Sequence, residues 1–392
     1  MKILCMGQII YDYSLPIDGF PLEGLTYNLK EKMECSGGGA CNSAFLLAKW
    51  NEDVHLSAAV GGDDLGNKIR KNMEESGINV SNVETVFEAK TPIEFILINK
   101  NTGNKTVFSI NESTPHVKKY ELDFVPDIIL LDGYEYTSAI NVVNRFPNAT
   151  VILDASIKEK STVEMLSYAK YIIASQGFAE EFTDIKADFN NPTTLLEMYK
   201  KFAVKYPNNI LVITLKDHGA MYLDGNQIKV MPGINVEKVV DNTGAGDIFR
   251  AAFTCGIARG YDMDKTIRIA NIAAGLSLSK LGAKNSTPLF SDVAAIYESK
   301  FGPLDGATAA TTSNTSENTN DVQNAQTNVE PQNEMPEQQT QLEQPINNGN
   351  QEIVTNDMND YEEPSPLDQV KVPDIDIQAM PQQNDDTNDD TF

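Results

Sequence analysis

The chain has 392 residues and a formal net charge of −25, spread unevenly: residues 303–392 hold 19 Asp and Glu against one basic residue, Lys371, which leaves −7 on residues 1–302. An acidic balance on the apolar-rich part excludes a nonspecific nucleic-acid binder, which needs a basic surface, and no apolar run reaches membrane-spanning length. Cys5, Cys35, Cys41 and Cys255 show no metal spacing and no C-x-x-C, and the three histidines form no cluster, so reduced thiols and a cytoplasmic setting are expected.

Lys2 followed by ILCMGQII is too short for a signal peptide and reads as a buried first strand over about 2–10. It delivers Asp12 to the C-terminal end of that strand, as a turn residue or as a ligand in the place where open α/β sheets bind them. Residues 16–35 read as turns and short extended pieces, and 91–110 as a strand pair around Asn101-Thr102-Gly103-Asn104. Together they predict a small β lid drawn from about 12–35 and 91–111. Gly37, Gly38 and Gly39 lead into a helix over about 40–50 through Asn42, whose amide both donates and accepts hydrogen bonds. After the strand VHLSAAVG, Asp63 or Asp64 caps a helix, with Asp64 the weaker binding candidate.

The short apolar runs 127–132 and 150–154 read as parallel strands of a doubly wound sheet, which places Asp132 and Asp154 at strand C-terminal ends. YIIAS and ILVITL continue the pattern. A long helix begins near Asp264, with Ala270, Ala273, Ala274 and Gly275 suited to close packing, and a final helix covers about 290–300.

Residues 241–247, DNTGAGD, place Gly244, Ala245 and Gly246 ahead of Asp247 and an apolar-periodic helix. The small residues let an anion approach free N–H groups at the positive end of the helix dipole. Asp247 is either a first-turn acid serving that dipole or a base that accepts a hydroxyl proton as the hydroxyl attacks phosphorus.

DNTGAGD is similar to the D-T-x-G-A-G-D signature of the ribokinase-like, phosphofructokinase-B type carbohydrate kinases, with Asn242 where Thr is usual. GGGACNSA at 37–44 resembles the second signature of that family. The resemblance runs over about residues 1–300. It implies a ribokinase-like three-layer α/β/α sheet with a β lid, and an ATP- and Mg²⁺-dependent kinase acting on a hydroxymethyl group of a small sugar. By resemblance Asp247, with Gly244, Ala245 and Gly246, is catalytic, while Asp12, Gly38, Gly39 and Asn42 bind the acceptor. Thr214 and Gly219 match the nucleotide-side T-x-G-x-x-G-A element, Lys216 replaces its glycine and reaches a phosphate as a point charge, and Asn271 falls at a position near the adenine. The region of Asp241 corresponds to a monovalent-cation site such as one for K⁺.

One departure stands out. Where relatives carry an N-x-x-E element for Mg²⁺ and phosphate, this chain has Ser175 and Phe178, with Glu180 and Glu181 as replacements after a register shift. The rival readings are therefore a nucleoside kinase, with Phe20, Tyr27 and Phe108 as a base pocket, and an impaired sugar- or nucleotide-binding homologue. Homodimerisation through the lid is a further expectation. Residues 303–392 read as a disordered acidic tail, with 366–380 as its docking candidate for a partner.

Overall fold

The computed structural model describes residues 1–304, so the expected acidic tail, including 366–380, lies outside the described residues from residue 305 onward. Seven parallel strands form the centre of the main sheet. They are β1 (Lys2–Met6), β4 (Asp53–Gly61), β5 (Asn79–Val86), β8 (Ile128–Leu131), β9 (Thr150–Ala155), β10 (Tyr171–Ser175) and β11 (Ile210–Thr214). Antiparallel β12 (Ala220–Asp224) and β13 (Gln227–Met231) extend one edge, giving the order β13-β12-β11-β10-β9-β8-β1-β4-β5.

The central strands read as continuous apolar runs because both faces of the sheet are covered; β8, for example, is buried at all four positions. On one face lie α1 (Gly39–Lys49) and α2 (Asp64–Glu75), and on the other α3 (Tyr136–Arg145), α4 (Lys160–Met165), α5 (Gln176–Thr183) and α6 (Pro192–Ala203). The first face also carries α7 (Ala245–Ala258), α8 (Met263–Ser277) and α10 (Phe290–Phe301), with the short α9 (Ala283–Ser286) beside them. Two apolar cores result, one on each side of the sheet, and the fold is the expected ribokinase-like α/β class. Helix α7 is buried without a break from Ile248 to Gly256, which is why its sequence is apolar almost all round.

The lid is a separate four-stranded sheet, ordered β3-β2-β6-β7, from β2 (Ile10–Ile17), β3 (Met33–Gly37), β6 (Ile93–Asn99) and β7 (Lys105–Ile110). Here the expectation of one strand over 2–10 is corrected. The apolar run divides at Gly7, residues 3–6 pairing inside the main sheet and residues 10–17 inside the lid, so Asp12 stands within a lid strand instead of at the end of β1. Of the two expected helix caps, Asp63 is the one used: it accepts the Gly66 N–H at 2.8 Å, and it also holds Thr91 N and Oγ1, tying α2 to the entry of β6. The packed chain extends two residues past the expected boundary at 302, since Leu304 is buried.

All four cysteines are free and buried, and burial pushes Cys35 up to about 12. Among the described residues no helix is long and apolar enough to cross a membrane.

Gly219 joins β11 to β12 with a left-handed backbone, φ +87°, and a Cβ there would fall 2.0 Å from the Met231 carbonyl oxygen. Gly219→Ala is expected to lower unfolding stability by at least about 2 kcal/mol, the sum of a left-handed alanine and the displaced strand end, as read by urea denaturation.

Candidate active site

The N-terminus of α7 lies at the C-terminal side of the main sheet and faces the lid. Gly244 caps it with φ 77° and ψ 0°, and a Cβ at that position would meet Ala283 Cβ at 2.7 Å, so only glycine permits both the turn and the packing. No side chain caps this helix. The first turn is therefore open at the positive end of the helix dipole; the Ala245 N–H makes one long bond, to Asn242 O at 3.5 Å.

Asp247 occupies the first turn with both carboxylate oxygens engaged. Oδ2 accepts from Asn42 Nδ2 at 2.7 Å, and Oδ1 pairs with the guanidinium of Arg250 one turn later. Arg250 also bridges to Asp154 Oδ2 at 2.8 Å and donates through Nη1 to Ser156 Oγ at 3.0 Å. Burial alone would lower the guanidinium's affinity for its proton; Asp154 and Asp247 more than offset it, and the group stays charged. Asp154 is driven up to about 7 by burial, against the pull of Arg250. Sequence reading missed Arg250. Its signal was a single arginine inside the apolar run DIFRAAFTCGI, which a buried helix tolerates only with partners.

Asp12 reaches the same space from the lid. It is 3% exposed, its Oδ1 has no hydrogen-bond partner, and burial, then Glu94, pushes its carboxyl up to about 8; Lys105 opposes and Asp247 and Asp241 add to the rise. Asn42, on α1, also leaves a buried oxygen, Oδ1, without a partner. Two buried acceptors thus await donors beside the Asp247 carboxylate. Gly38 and Gly39 run past the Gln8 carbonyl and Asp132, and Asp132 accepts the N–H groups of Gln8, Ala40 and Tyr134, so this acid fixes the glycine loop in place. Burial raises Asp132 to about 6.

Asp241 is buried at 1% exposure and uses both oxygens, on Thr243 N and Gly282 N at 2.8 Å each. It clamps the loop ahead of α7 to the start of α9. The tip of the lid touches the same loop: Asn242 N donates to Gly103 O and Asn242 Nδ2 to Asn104 Oδ1, each at 3.3 Å.

The predicted nucleotide-side residues lie at the β11 end and beyond. Thr214 ends β11 and donates to Ala174 O at 3.4 Å. Lys216 is exposed and has a left-handed backbone, φ 55°, a conformation that glycine adopts at no cost. Asn271 is committed to the backbone, its Nδ2 donating to Met231 O and Pro232 O at 2.9 and 3.1 Å.

The departure at 175–178 has a structural reason. Ser175 caps α5 through Phe178 N, and Phe178 is buried against Phe182 and Phe202. Of the two glutamates that follow, Glu180 is held by Gln176 and Lys186, and Glu181 pairs at the surface with Lys158 at 3.7 Å. The proposed base pocket is also absent from the inner lid face. Phe108 pairs in register with Phe95 and through it with Tyr13, on the face opposite Asp12, and Phe20, Tyr27 and Phe108 are all exposed.

The pfkB family carbohydrate kinase signature matches residues 1–289, and the chain belongs to this family of phosphotransferases with an alcohol group as acceptor. It is similar to a ribokinase of Lactococcus lactis, 26% identical over 75% of this chain and 96% of the relative, and to a nucleoside kinase of Methanocaldococcus jannaschii, 21% identical over 74% and 95%. A solved structure of Arabidopsis thaliana ribokinase, complexed with ribose and ATP, shares the fold with a TM-score of 0.64 and 22% identity, covering 74% of this chain and 96% of that one. It is therefore a carbohydrate or nucleoside kinase.

Two substitutions test the electrostatics of this site. Arg250→Met leaves the Asp154 and Asp247 carboxylates buried without their cation and is expected to cost about 3–5 kcal/mol in denaturant unfolding. Asp12→Asn removes an ionisable group whose folded pKa lies above its ordinary value. Ionisation of such a group opposes folding increasingly from about pH 4 to its folded value near 8 and fully above that. This neutral variant should melt above wild type, by a margin that grows over that window and levels off beyond pH 8 in a pH series of thermal melts.

Proposed function

We propose that the chain transfers the γ-phosphoryl group of ATP to a hydroxymethyl group of a small sugar such as ribose, fructose or a related ketose. The observation that carries this reading is the juxtaposition of Asp247, the uncapped first turn of α7 and the two partner-free acceptors, Asp12 Oδ1 and Asn42 Oδ1. Acceptors without donors suit a polyhydroxylated ligand, and hydroxyl groups complete them.

In this mechanism Asp12 and Asn42 orient the sugar so that its primary hydroxyl meets Asp247. An alcohol is far too weak an acid to lose its proton in advance to a carboxylate, so Asp247 accepts the proton as the oxygen–phosphorus bond forms. Charge on the transferring phosphoryl oxygens falls on the N–H groups of Ala245 and Gly246 at the helix end. The lid covers the acceptor and keeps water from competing for the phosphoryl group. Alignment of this kind supplies roughly 7–11 kcal/mol of barrier lowering.

Mg²⁺, when bound with the nucleotide, neutralises the triphosphate. Among the described residues no cluster of three or more His, Cys, Asp and Glu fits a metal ion, and Ser175 and Phe178 supply no carboxylate where relatives carry one, so no step is assigned to a protein-held metal. Lys216, exposed beyond β11, is the protein cation on the nucleotide side. A monovalent ion near Asp241 would rest on loop carbonyls, because the carboxylate itself is fully engaged.

A sugar is favoured over a nucleoside because the inner lid face carries the polar row Asp12, Glu94 and Ser109, beside Ile96, Ile98 and Val107, and no aromatic ring in register with them. Retention of Asp247 with its Arg250 partner speaks against a binding-only homologue. The outer lid face, with Phe108 and Ile110 exposed, suits the homodimer contact.

In a coupled ADP-release assay over ribose, fructose, related ketoses, sugar acids and nucleosides, sugar-stimulated turnover is expected, and Asp247→Asn should lower kcat by about 10²- to 10⁴-fold. A variant that turned over at the wild-type rate would remove Asp247 from the role of base, and stimulation by nucleosides alone would replace the sugar reading.

A further inference from the structure

The inner face of the lid carries more charge than the proposed transfer requires. Asp12 on β2 pairs in register with Glu94 on β6, and Glu94 with Ser109 on β7, so the three side chains stand in a row across the sheet on one face. Ser109 Oγ donates to Glu94 Oε1 at 2.9 Å, which fixes one carboxylate oxygen and leaves the other. Val107 and Lys105, two and four residues before Ser109, share that face by strand alternation. Glu94 is half-buried and is the strongest charged neighbour of Asp12.

The wider surroundings are acidic as well. Asp12 feels Glu94, Asp241 and Asp247, and Asp132 and Asp154 feel Asp247 in turn, against the cations Lys105 and Arg250 and, beside Cys35 and Cys41, Lys284. Arg250 is already consumed by Asp154 and Asp247. An acceptor bearing a carboxylate or a phosphate would enter a space where acidic groups outnumber the available cations, Lys105 and Lys284. An acceptor bearing an ammonium group would meet the acidic side chains of Glu94 and Asp12 side by side, one with a partner-free oxygen; burial keeps the Asp12 carboxyl protonated up to about pH 8, and an adjacent ammonium charge draws it back toward the ionised form.

We propose that Glu94, steadied by Ser109, is a specificity-determining residue: with Asp12 it forms a two-carboxylate clamp that selects an amine-bearing polyhydroxylated acceptor over a neutral one and rejects anionic acceptors. This inference rests on the reading of Asp12 as acceptor ligand. It concerns the far end of the acceptor, away from the hydroxyl that meets Asp247. A charge-assisted hydrogen bond in a partly desolvated site is worth a preference of about tenfold to a hundredfold.

The test is calorimetric titration of the full chain with three acceptors of similar size: fructose, 1-amino-1-deoxyfructose and gluconate. Wild type is compared with Glu94→Gln, which keeps the shape and removes the charge, and with Ser109→Ala. Wild type should bind the amino ketose at least tenfold tighter than fructose, with gluconate weakest. Glu94→Gln should erase most of the amine preference while leaving fructose within about threefold, and should narrow the gap to gluconate; Ser109→Ala should shift the preference in the same direction by less. Equal losses for all three acceptors, an unchanged preference, or no binding of any acceptor to wild type would overturn the proposal. Thermal melts of each variant separate a folding defect from a change of selectivity. Phosphoryl transfer is followed in parallel. Selective binding without turnover upholds the clamp while removing the kinase reading of its acceptor, whereas turnover with no amine preference sinks the clamp alone.

Discussion

Arg250 sits beneath the first turn of α7 with Asp154 on one side and Asp247 on the other, and the arrangement at the sheet's C-terminal edge depends on that guanidinium. Several carboxylates converge there because the fold brings the ends of β8 and β9, the loop before α7 and a lid strand to one place. Like charges in a desolvated pocket push each other toward protonation, and a base that is protonated cannot accept a proton. One buried, permanently charged group stands between Asp154 and Asp247 and compensates both carboxyl groups in a pocket where burial drives Asp154 upward. The oxygen of Asp247 that faces Asn42 is oriented by a second, neutral donor, so charge and direction are set by different residues.

The acceptor side is built on the opposite logic. Asp12 Oδ1, Ser14 Oγ and Asn42 Oδ1 are buried polar atoms without partners, and each is a local cost to the folded chain. Such costs accumulate where a ligand completes the hydrogen bonding, and binding then recovers what folding left unsatisfied. The apolar cores on the two faces of the sheet provide the surplus that tolerates them.

Much of this was legible in the sequence, and the rest failed for identifiable reasons. The G-A-G-D stretch announces its helix start through small residues followed by an apolar period, and the parallel strands through short apolar runs, because those patterns are local. The split of the first strand was not legible: ILCMGQII is one apolar run, and only the pairing partners of residues 3–6 and 10–17 distinguish main sheet from lid. The role of Arg250 depends on Asp154, nearly a hundred residues earlier in the chain, and no local pattern links them. Phe108 looked suited to a base pocket by composition, but alternation within β7 turns it to the outer face, and the register that decides this is set by β6. At Ser175 and Phe178 the departure from relatives was visible, and its cause, an aromatic cluster with Phe182 and Phe202, belongs to the core.

The contact between the tip of the lid and Asn242 gives the two halves of the site a shared mechanical joint. Gly103 lies so close to Val239 that a side chain there would collide with it, and the backbone of the hairpin accepts from the loop that leads into α7. The same loop carries Asp241, whose carboxylate anchors it to Gly282. On the proposed function, raising the lid to admit an acceptor strips two hydrogen bonds from the segment that leads into α7, while the adjacent Asp241 keeps its hold on Gly282. Entry of one substrate and readiness toward the other are thus linked through a single stretch of backbone, which makes the order in which the two arrive a property of the hinge as well as of concentration.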